Sequence, residues 1–376
     1  MMLFSSMQGA WRTMSLLCLG LWLASSAWAG ECNCAGTNEQ EDIDKSWTLN
    51  LQFESMNMGT LLRGSRPVDP NRVILGALAT PGRRSFSVPT NMTMQRSTLR
   101  ARYRMDEETS FILSIPFSVS NQMDMRMGMN PMPMAKPAGM GVPAMPMAGP
   151  TFRDMTMSPI NRLGDIALTV QRDLFHDESG NSLSVAGGLK FPTGESQVRT
   201  AQGTLVHAMM QPGSGSLDFT VGLFGRAYLG GGPDGKSWSL EPGISYQING
   251  TNSLGYRFGN RLGYDLALGC RLGESFTLST ALNGIVTGRD SQNGTLDPLT
   301  GKTAYQSPAT SLVDNVANSG GSMLYVAPGF QWKLGDDVTL RAHHRIPLSR
   351  SVNGTQIVTD GWTTVNFVRP VHGLVA

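Results

Sequence analysis

Most of the chain alternates apolar and polar residues over short runs, and helical spacing is nearly absent. The first run, SWTLNLQFE, places Trp47, Leu49, Leu51 and Phe53 on one face of an extended chain and polar residues on the other. Because successive side chains of a strand point to opposite faces, such runs predict strands with one apolar and one polar face. Twelve runs of this kind occur, at 46–54, 98–105, 111–119, 161–172, 182–192, 215–229, 237–248, 254–271, 274–287, 322–334, 337–348 and 362–369.

The connections between these runs alternate in length. Every second connection is short, namely 106–109, 173–181, 230–236, 272–273 and 335–336. The others are 57–95, 120–160, 193–214, 249–253, 288–321 and 349–361, and only 249–253 is brief. Single-chain outer-membrane barrels have even strand numbers, short periplasmic turns and longer external loops. The sequence therefore predicts an all-β fold, a transmembrane antiparallel up-and-down β-barrel of about 12 strands, in the outer membrane of a Gram-negative bacterium.

Four prolines fall inside the predicted strands, at Pro116, Pro242, Pro328 and Pro347. A closed barrel has no free edge at which proline is tolerated, because proline cannot donate a hydrogen bond to the ladder. We expect these residues at strand ends or bulges.

The amino terminus has the pattern of a secretory signal peptide over residues 1–29, with an apolar run at 14–24 and an A-x-A exit at 27–29. Residues 30–45 then form a predicted periplasmic leader that contains Cys32 and Cys34. The barrel is predicted over residues 46–369 and a periplasmic tail over 370–376. The formal net charge of +2 shows no basic excess of the kind that nucleic-acid binding requires.

The segment GGGPDGKS, residues 230–237, matches the phosphate-loop pattern of nucleotide-binding enzymes. That pattern has a physical meaning only between a strand and a helix whose amino end holds the phosphate. Here WSLEPGISYQI follows with strand alternation, so the segment is interpreted as a turn. The sequence predicts no enzymatic activity.

Two segments carry a resemblance to a known family. GLKFPTGE (188–195), followed by QPGSGSLDFTVGLFG (211–225), resembles the outer-membrane transporter family assigned to the MetA pathway of phenol degradation. The match is specific over about forty residues of this chain. The resemblance implies a β-barrel of the Gram-negative outer membrane that passes small molecules, including aromatic or otherwise hydrophobic ones, and it implies no catalytic residues.

The polar faces of several strands carry charged residues predicted to line the lumen. Two interpretations stay open: a paired network that closes the lumen, because buried charges need partners, or a constriction that favours anions, because rings of arginine select anions. Glu54, Asp165 and Glu241 are also predicted to face the lumen, where they could pair with the arginines. The candidate transport residues are Arg100, Arg102, Arg104, Arg261, Arg341, Arg345, Asp218 and Asp265.

Residues 123–157 contain eleven methionines and no leucine, and the interspersed prolines and glycines predict a flexible external loop over 120–160. The unit Met-x-Met recurs there and also at 56/58 and 92/94. Thioethers are soft ligands that select Cu(I), so soft-metal capture competes with partner docking, an oxidant sink and no specific role. Cu(I) is the only cofactor that the sequence suggests, and its candidate ligands are Met123, Met125, Met127, Met129, Met132, Met134, Met145, Met147, Met155 and Met157.

The function that the sequence predicts is an outer-membrane channel or transporter that passes small solutes, aromatic or anionic, through the barrel. Two alternatives stay open: capture or export of Cu(I) or another soft metal through the methionine-rich loops, and a structural or docking barrel for a secreted or electron-transfer partner. The predicted partners are the lipid bilayer with its lipopolysaccharide, a small-molecule solute and a soft metal ion, without nucleic acid.

Overall fold

The structure is a computed structural model that describes residues 47–131, 149–229, 238–305, 307, 309–335 and 337–371. In this part of the chain, twelve antiparallel strands form one barrel, because each strand pairs with the next and the last pairs with the first. The strands are β1 (Trp47–Arg63), β2 (Ser85–Arg104), β3 (Thr109–Met129), β4 (Ala167–His176), β5 (Ser182–Lys190), β6 (Asp218–Leu229), β7 (Trp238–Ile248), β8 (Arg261–Arg271), β9 (Phe276–Thr287), β10 (Gly321–Leu334), β11 (Val338–Val352) and β12 (Thr355–Val371).

Each of the twelve predicted runs falls on one of these strands, so the predicted fold and strand number are confirmed. The predicted signal peptide and the leader with Cys32 and Cys34 lie outside the described residues, and so does the phosphate-loop-like segment 230–237.

The outer face of the barrel is apolar. Along β1, Leu49 and Phe53 are exposed, whereas Gln52 between them is buried. Exposed leucine, valine and aromatic side chains at alternate positions fit a hydrocarbon environment. We call the end of the barrel with the short connections the short-turn end and the opposite end the long-loop end. Trp47 packs on Tyr103 at the short-turn end, with 4.9 Å between ring centroids. Other members of this outer face are Leu99, Leu113, Phe117, Leu168, Val170, Leu189, Phe219, Val221, Leu223, Ile244, Leu266, Leu278, Leu282, Ile346 and Phe367.

The four prolines of the predicted strands all lie where the ladder is interrupted. Pro116 is next to a register shift between β2 and β3, and Pro347 is next to one between β10 and β11. Pairing between β6 and β7 skips Pro242, and pairing between β10 and β11 skips Pro328. This placement satisfies the expectation from the sequence, because at each site the missing N–H donor falls beside a disturbed stretch of the ladder.

Strands at the long-loop end extend further than the sequence pattern predicts. β1 continues to Arg63, β2 begins at Ser85 and β3 reaches Met129, so much of the predicted loops 57–95 and 120–160 is strand. Short strands at Thr151–Thr156 and Ile160–Arg162 pair with β3, and Arg66–Pro67 pairs with β1. A further two-stranded sheet joins Tyr256–Arg257 to Ser291–Gln292 in the loops.

One short helix, α1 (Pro70–Leu78), lies between β1 and β2. Asp69 caps it by accepting hydrogen bonds from the backbone N–H groups of Asn71 (2.6 Å) and Arg72 (3.2 Å). The helix packs Ile74 against Gly128, where an added Cβ would lie 2.2 Å from the Ile74 Cγ2 atom. In the described part of the chain no helix is long and apolar enough to cross a membrane.

Candidate functional site

A cavity of about 310 Å³ lies inside the barrel. Inward side chains of β2 to β7 form its wall, as shown by alternate residues Ala167, Thr169 and Gln171 along β4. Part of the connection between β5 and β6, residues 208–214, also lines the cavity. The volume is in the range of sites that take small organic molecules.

The cavity lining carries more positive than negative charge. Among the described residues that line it, Arg96, Arg100, Lys190 and Arg226 are cationic, whereas Asp165 and Glu241 are acidic. Arg226 pairs with Glu241 across adjacent strands at 3.0 Å, and Arg100 donates a 2.5 Å hydrogen bond to the amide oxygen of Gln52. The lining residues therefore include two more cations than carboxylates, and Asp218, which pairs with Lys190 from outside the lining, reduces the local excess to one positive charge. A positive excess in an enclosed space favours an anionic guest.

The two segments of the family-like motif meet at Asp165. Its carboxylate accepts hydrogen bonds from the backbone N–H of Gly194 (2.9 Å) and from the N–H and hydroxyl of Ser214 (2.8 and 2.9 Å). Lys190 lies 3.3 Å from this carboxylate and 2.5 Å from the carboxylate of Asp218. Asp218 in turn accepts from the backbone N–H of Gly250 at 2.9 Å. These contacts tie the β3–β4, β5–β6 and β7–β8 connections together beside the cavity.

Glycines make this meeting sterically feasible. A Cβ built on Gly213 would lie 2.6 Å from an oxygen of Asp165 and 2.7 Å from the carbonyl carbon and oxygen of Gly194. Real Cβ atoms do not approach backbone so closely, because packed protein interiors leave no such overlap. The glycines of the motif therefore let two backbone segments close on one carboxylate.

A further buried cation lies next to this cavity. Arg261 on β8 is opposite Gln247, which lines the cavity, and only 3% of its surface is exposed. Both terminal nitrogens of its guanidinium group lack a hydrogen-bond partner among the described residues. Charged side chains that act on it include Arg345, Arg96 and Glu54. Because an unsatisfied buried donor costs about 1–3 kcal/mol, these N–H groups are suited to receive an acceptor from a guest or water.

The other predicted transport residues are spread along and around the lumen. Arg102 and Arg104 follow Arg100 along β2 toward the short-turn end, and neither lines the cavity. Arg341 lies on β11, and Arg345 stacks its guanidinium group 4.2 Å from the ring centre of Trp362. Asp265 lies on β8 opposite Gly243, and Asp218 belongs to the Lys190 network. The eight residues therefore do not form one ring.

Three cavity cations were not singled out by sequence reasoning. Lys190 lies inside the family-like motif, which predicts the fold and assigns no role to this charge. Arg96 continues the alternation of Arg100 beyond the predicted start of the run at residue 98, so a longer strand would have included it. Arg226 lines the cavity from β6 and pairs with Glu241, an acidic lumen residue that the sequence does predict.

The prediction that 120–160 is a flexible loop is wrong for residues 120–129 and 151–156, which are strands. Met123, Met125, Met127 and Met129 belong to β3, and Met155 pairs with Met125. Backbone pairing with β2 on one side and with Thr151–Thr156 on the other outweighs the low-complexity composition here. Met132, Met134, Met145 and Met147 lie outside the described residues.

Most of the described methionines pack into one cluster instead of projecting into solvent. We call these eleven residues, out of fourteen methionines in the described part of the chain, the methionine cluster. Met94 and Met209 also line the cavity, so cluster and cavity adjoin. Among described residues, no group of three or more His, Cys, Asp or Glu is placed to hold a metal. The cluster comprises Met56, Met58, Met92, Met94, Met123, Met125, Met155, Met157, Met209, Met210 and Met323.

Two aspartates in the loops at the long-loop end are each bound by a side chain from another part of the loops. Arg199 donates two hydrogen bonds to Asp297 (2.9 and 2.7 Å), and this pairing holds the pKa of the Asp297 carboxyl far below its usual value. Tyr256 donates a 2.5 Å hydrogen bond to Asp290, whose pKa burial raises to about 6. The Arg199–Asp297 pair joins the β5–β6 connection to the β9–β10 connection, so the two loops are held together.

Comparison with solved structures places the fold among outer-membrane barrels. The chain is similar to an outer membrane channel from Pseudomonas putida F1, with a TM-score of 0.54 and 12% identity over 89% of this chain and 98% of that one. It is more distantly similar to a Pseudomonas aeruginosa FadL homologue (TM-score 0.36, 7% identity, 87% and 90% covered). The Ralstonia pickettii toluene transporter TbuX gives a TM-score of 0.37 at 8% identity, with 88% and 90% covered. No family model and no curated protein sequence matches the chain.

Proposed function

We propose that this protein is a channel of the Gram-negative outer membrane that passes small solutes through its lumen, and that it favours solutes bearing a carboxylate on an apolar body. The observation that carries the proposal is the 310 Å³ cavity with its excess of positive charge. The fold supports the location, because the barrel is closed and its outer face is apolar.

The anionic part of the solute is recognised by the cationic wall. Arg96 and Arg100 line the cavity from β2, and Arg261 lies beside it with unsatisfied N–H groups. Guanidinium groups match carboxylates in bidentate geometry, and a low-dielectric surrounding strengthens the contact. Transport does not require tight binding, because a conducting site has to release its solute.

The apolar part of the solute is recognised by apolar and aromatic side chains of the same lining. Ile112, Met94, Met209, Phe224 and Phe258 line the cavity together with the charged groups. Aromatic rings and thioethers make favourable contacts with an aromatic guest. An aromatic carboxylate such as benzoate combines both features, and no chemical conversion of the solute is involved.

Membership of the transporter family assigned to the MetA pathway of phenol degradation is part of this proposal. It is supported by the segments Gly188–Glu195 and Gln211–Gly225, whose inward-facing residues line the cavity and whose Gly194 and Ser214 bind Asp165. The motif thus coincides with the wall of the candidate passage.

The test is electrical measurement on the purified mature protein in planar lipid bilayers. A salt gradient of KCl is expected to give a reversal potential of the sign produced by anion preference, and the Arg96→Gln variant is expected to move it toward the cation side. Arg66→Gln is the matched control, because Arg66 is exposed on the short strand after β1 and lies away from the cavity lining.

Two results would overturn the proposal. One is a baseline that stays silent at high protein load, which would remove the channel. The other is cation preference in the unmodified protein, which would remove the role of the cationic wall. Vesicle-swelling rates with benzoate compared with benzylammonium, each measured against protein-free vesicles, test the solute class directly, and we expect the benzoate rate to be higher.

A further inference from the structure

Methionines occupy facing positions on three adjacent strands of the methionine cluster. Met58 on β1 is directly opposite Met92 on β2, and Met92 is directly opposite Met123 on β3. Directly opposed residues of an antiparallel pair have Cβ atoms about 4.5–5.5 Å apart. Three unbranched side chains that start this close together can bring their sulfur atoms to one point above the central residue.

All three side chains are enclosed by protein. Met92 and Met123 have no exposed surface, and Met58 is 2% exposed. Further thioethers lie next to Met58, Met92 and Met123. Met56 is opposite Met94 on one side of them, and Met125 is opposite Met155 on the other side. The sequence interpretation had placed metal binding in an exposed loop, whereas the structure puts methionines at facing positions in the barrel wall.

Sulfur atoms of the cluster already act as electron-pair donors. The Tyr325 hydroxyl donates a 2.9 Å hydrogen bond to the sulfur of Met323, and the Thr359 hydroxyl donates a 3.3 Å bond to the sulfur of Met56. A leucine at these positions would provide the same volume without a lone pair. The cluster therefore offers soft, neutral ligands within an apolar enclosure.

The charge of the surroundings selects the kind of ion. Asp124 directly follows Met123 in the chain. Asp360 contacts the residue after Met58, because it accepts from the backbone N–H of Gly59 at 2.6 Å, and it also pairs with Arg350. Burying a charge is costly unless ligands compensate it, and neutral thioethers cannot offset a divalent ion. A monovalent ion of low charge density suits three thioethers, and thioethers select soft metals.

We propose that Met58, Met92 and Met123 form a three-thioether binding site for one soft monovalent cation, Cu(I) or Ag(I). Cation binding here does not depend on the proposed transport function, since the site lies in the barrel wall and is defined by sulfur ligands rather than by the cationic cavity.

The experiment measures Ag(I) and anaerobic Cu(I) binding to the purified full-length mature protein in which Cys32, Cys34 and Cys270 are replaced by serine, because cysteine thiolates bind both ions more tightly than thioethers do. One ion per barrel is expected, with an X-ray absorption signature of sulfur neighbours only. In the M58L/M92L/M123L variant, affinity for that ion is expected to fall at least tenfold. Leucine keeps the volume of methionine within the range that cores tolerate, and circular dichroism checks the fold.

Two matched variants locate the ion. M105L/M127L/M129L replaces the three described methionines outside the methionine cluster and is expected to bind as the unmodified protein does. M132L/M134L/M145L/M147L is expected to retain the ion as well. Loss of the ion in this second variant, or unchanged binding in the M58L/M92L/M123L variant, would overturn the proposal. If the triple variant does not fold, Met92→Leu alone removes the central ligand and is judged by the same tenfold criterion.

Discussion

Replacing Asp165 with alanine removes the acceptor on which the two motif segments converge. The backbone N–H groups of Gly194 and Ser214 then lose their partner, while Lys190 keeps its 2.5 Å contact with Asp218. Asp165 is 8% exposed, so water cannot freely replace the carboxylate. Each buried donor left unsatisfied costs about 1–3 kcal/mol, and two of them give an expected loss of about 2–6 kcal/mol in the free energy of unfolding.

Urea unfolding of the protein refolded into lipid vesicles, followed by tryptophan fluorescence, measures this loss by linear extrapolation. Glu195→Gln is the control, because its ion pair with Arg162 is formed by side chains that are 50% and 58% exposed. Such surface pairs contribute about 0–1 kcal/mol. An Asp165→Ala variant that unfolds within about 1 kcal/mol of the Glu195→Gln variant would refute the view that this carboxylate holds the motif together.

Three further perturbations test the loops and the motif. Burial raises the folded pKa of Asp290 to about 6, above its unfolded value near 3.8, so its carboxyl favours the folded state below about pH 4. About 3 kcal/mol of stability is then lost as the pH rises through 6. Asp290→Asn should flatten that dependence in unfolding curves from pH 4 to 7. Gly213→Ala should cost more than about 2 kcal/mol in urea unfolding, whereas Gly187→Ala, with open space around the added Cβ, should cost less than about 1; equal costs would contradict the close-approach argument. Arg199→Ala should remove the ion-pair partner of Asp297, whose side chain is only 3% exposed. Proteolytic cleavage in the two connected loops should then become roughly tenfold faster while the barrel strands stay protected. An unchanged cleavage rate would show that the pair does not hold the loops.

The barrel is predictable from the sequence because a membrane strand repeats a two-residue pattern that leaves a clear trace. Leu49 and Phe53 face outward and Gln52 faces inward, as the alternation at the start of the chain predicts. The upper parts of the strands could not be predicted in the same way. Beyond Ser55 the polarity of the two faces is reversed, because Met56 and Met58 are buried and Asn57 between them is exposed. The run of apolar outward residues therefore ends although the backbone ladder continues to Arg63.

The charged residues of the candidate site were partly predictable, since their inward positions follow from strand parity. Which of these residues come together was not predictable. Strand parity gives the face on which a residue lies, but it does not give the residue's position along the barrel axis or its contacts on neighbouring strands. Arg100 and Arg104 are on the same face of β2, but Arg100 lines the cavity and Arg104 does not. The convergence of Asp165 on Gly194 and Ser214 depends on three loops, and no local pattern reports such a contact.

The inward face of β2 changes its chemistry along its length, and this change shapes what the lumen can pass. From the long-loop end the inward residues are Met92, Met94, Arg96, Thr98 and Arg100. Thioethers thus give way to guanidinium groups within one strand, and the cavity lies at the junction, lined by Met94 on one side and by Arg96 and Arg100 on the other. A wholly apolar solute would meet buried cations that it cannot satisfy, whereas a small inorganic anion would meet the methionine cluster, where desolvation is costly. A solute that carries both an apolar body and a carboxylate would satisfy each zone in turn, so the order of residues on this strand supports the proposed preference for amphipathic anions.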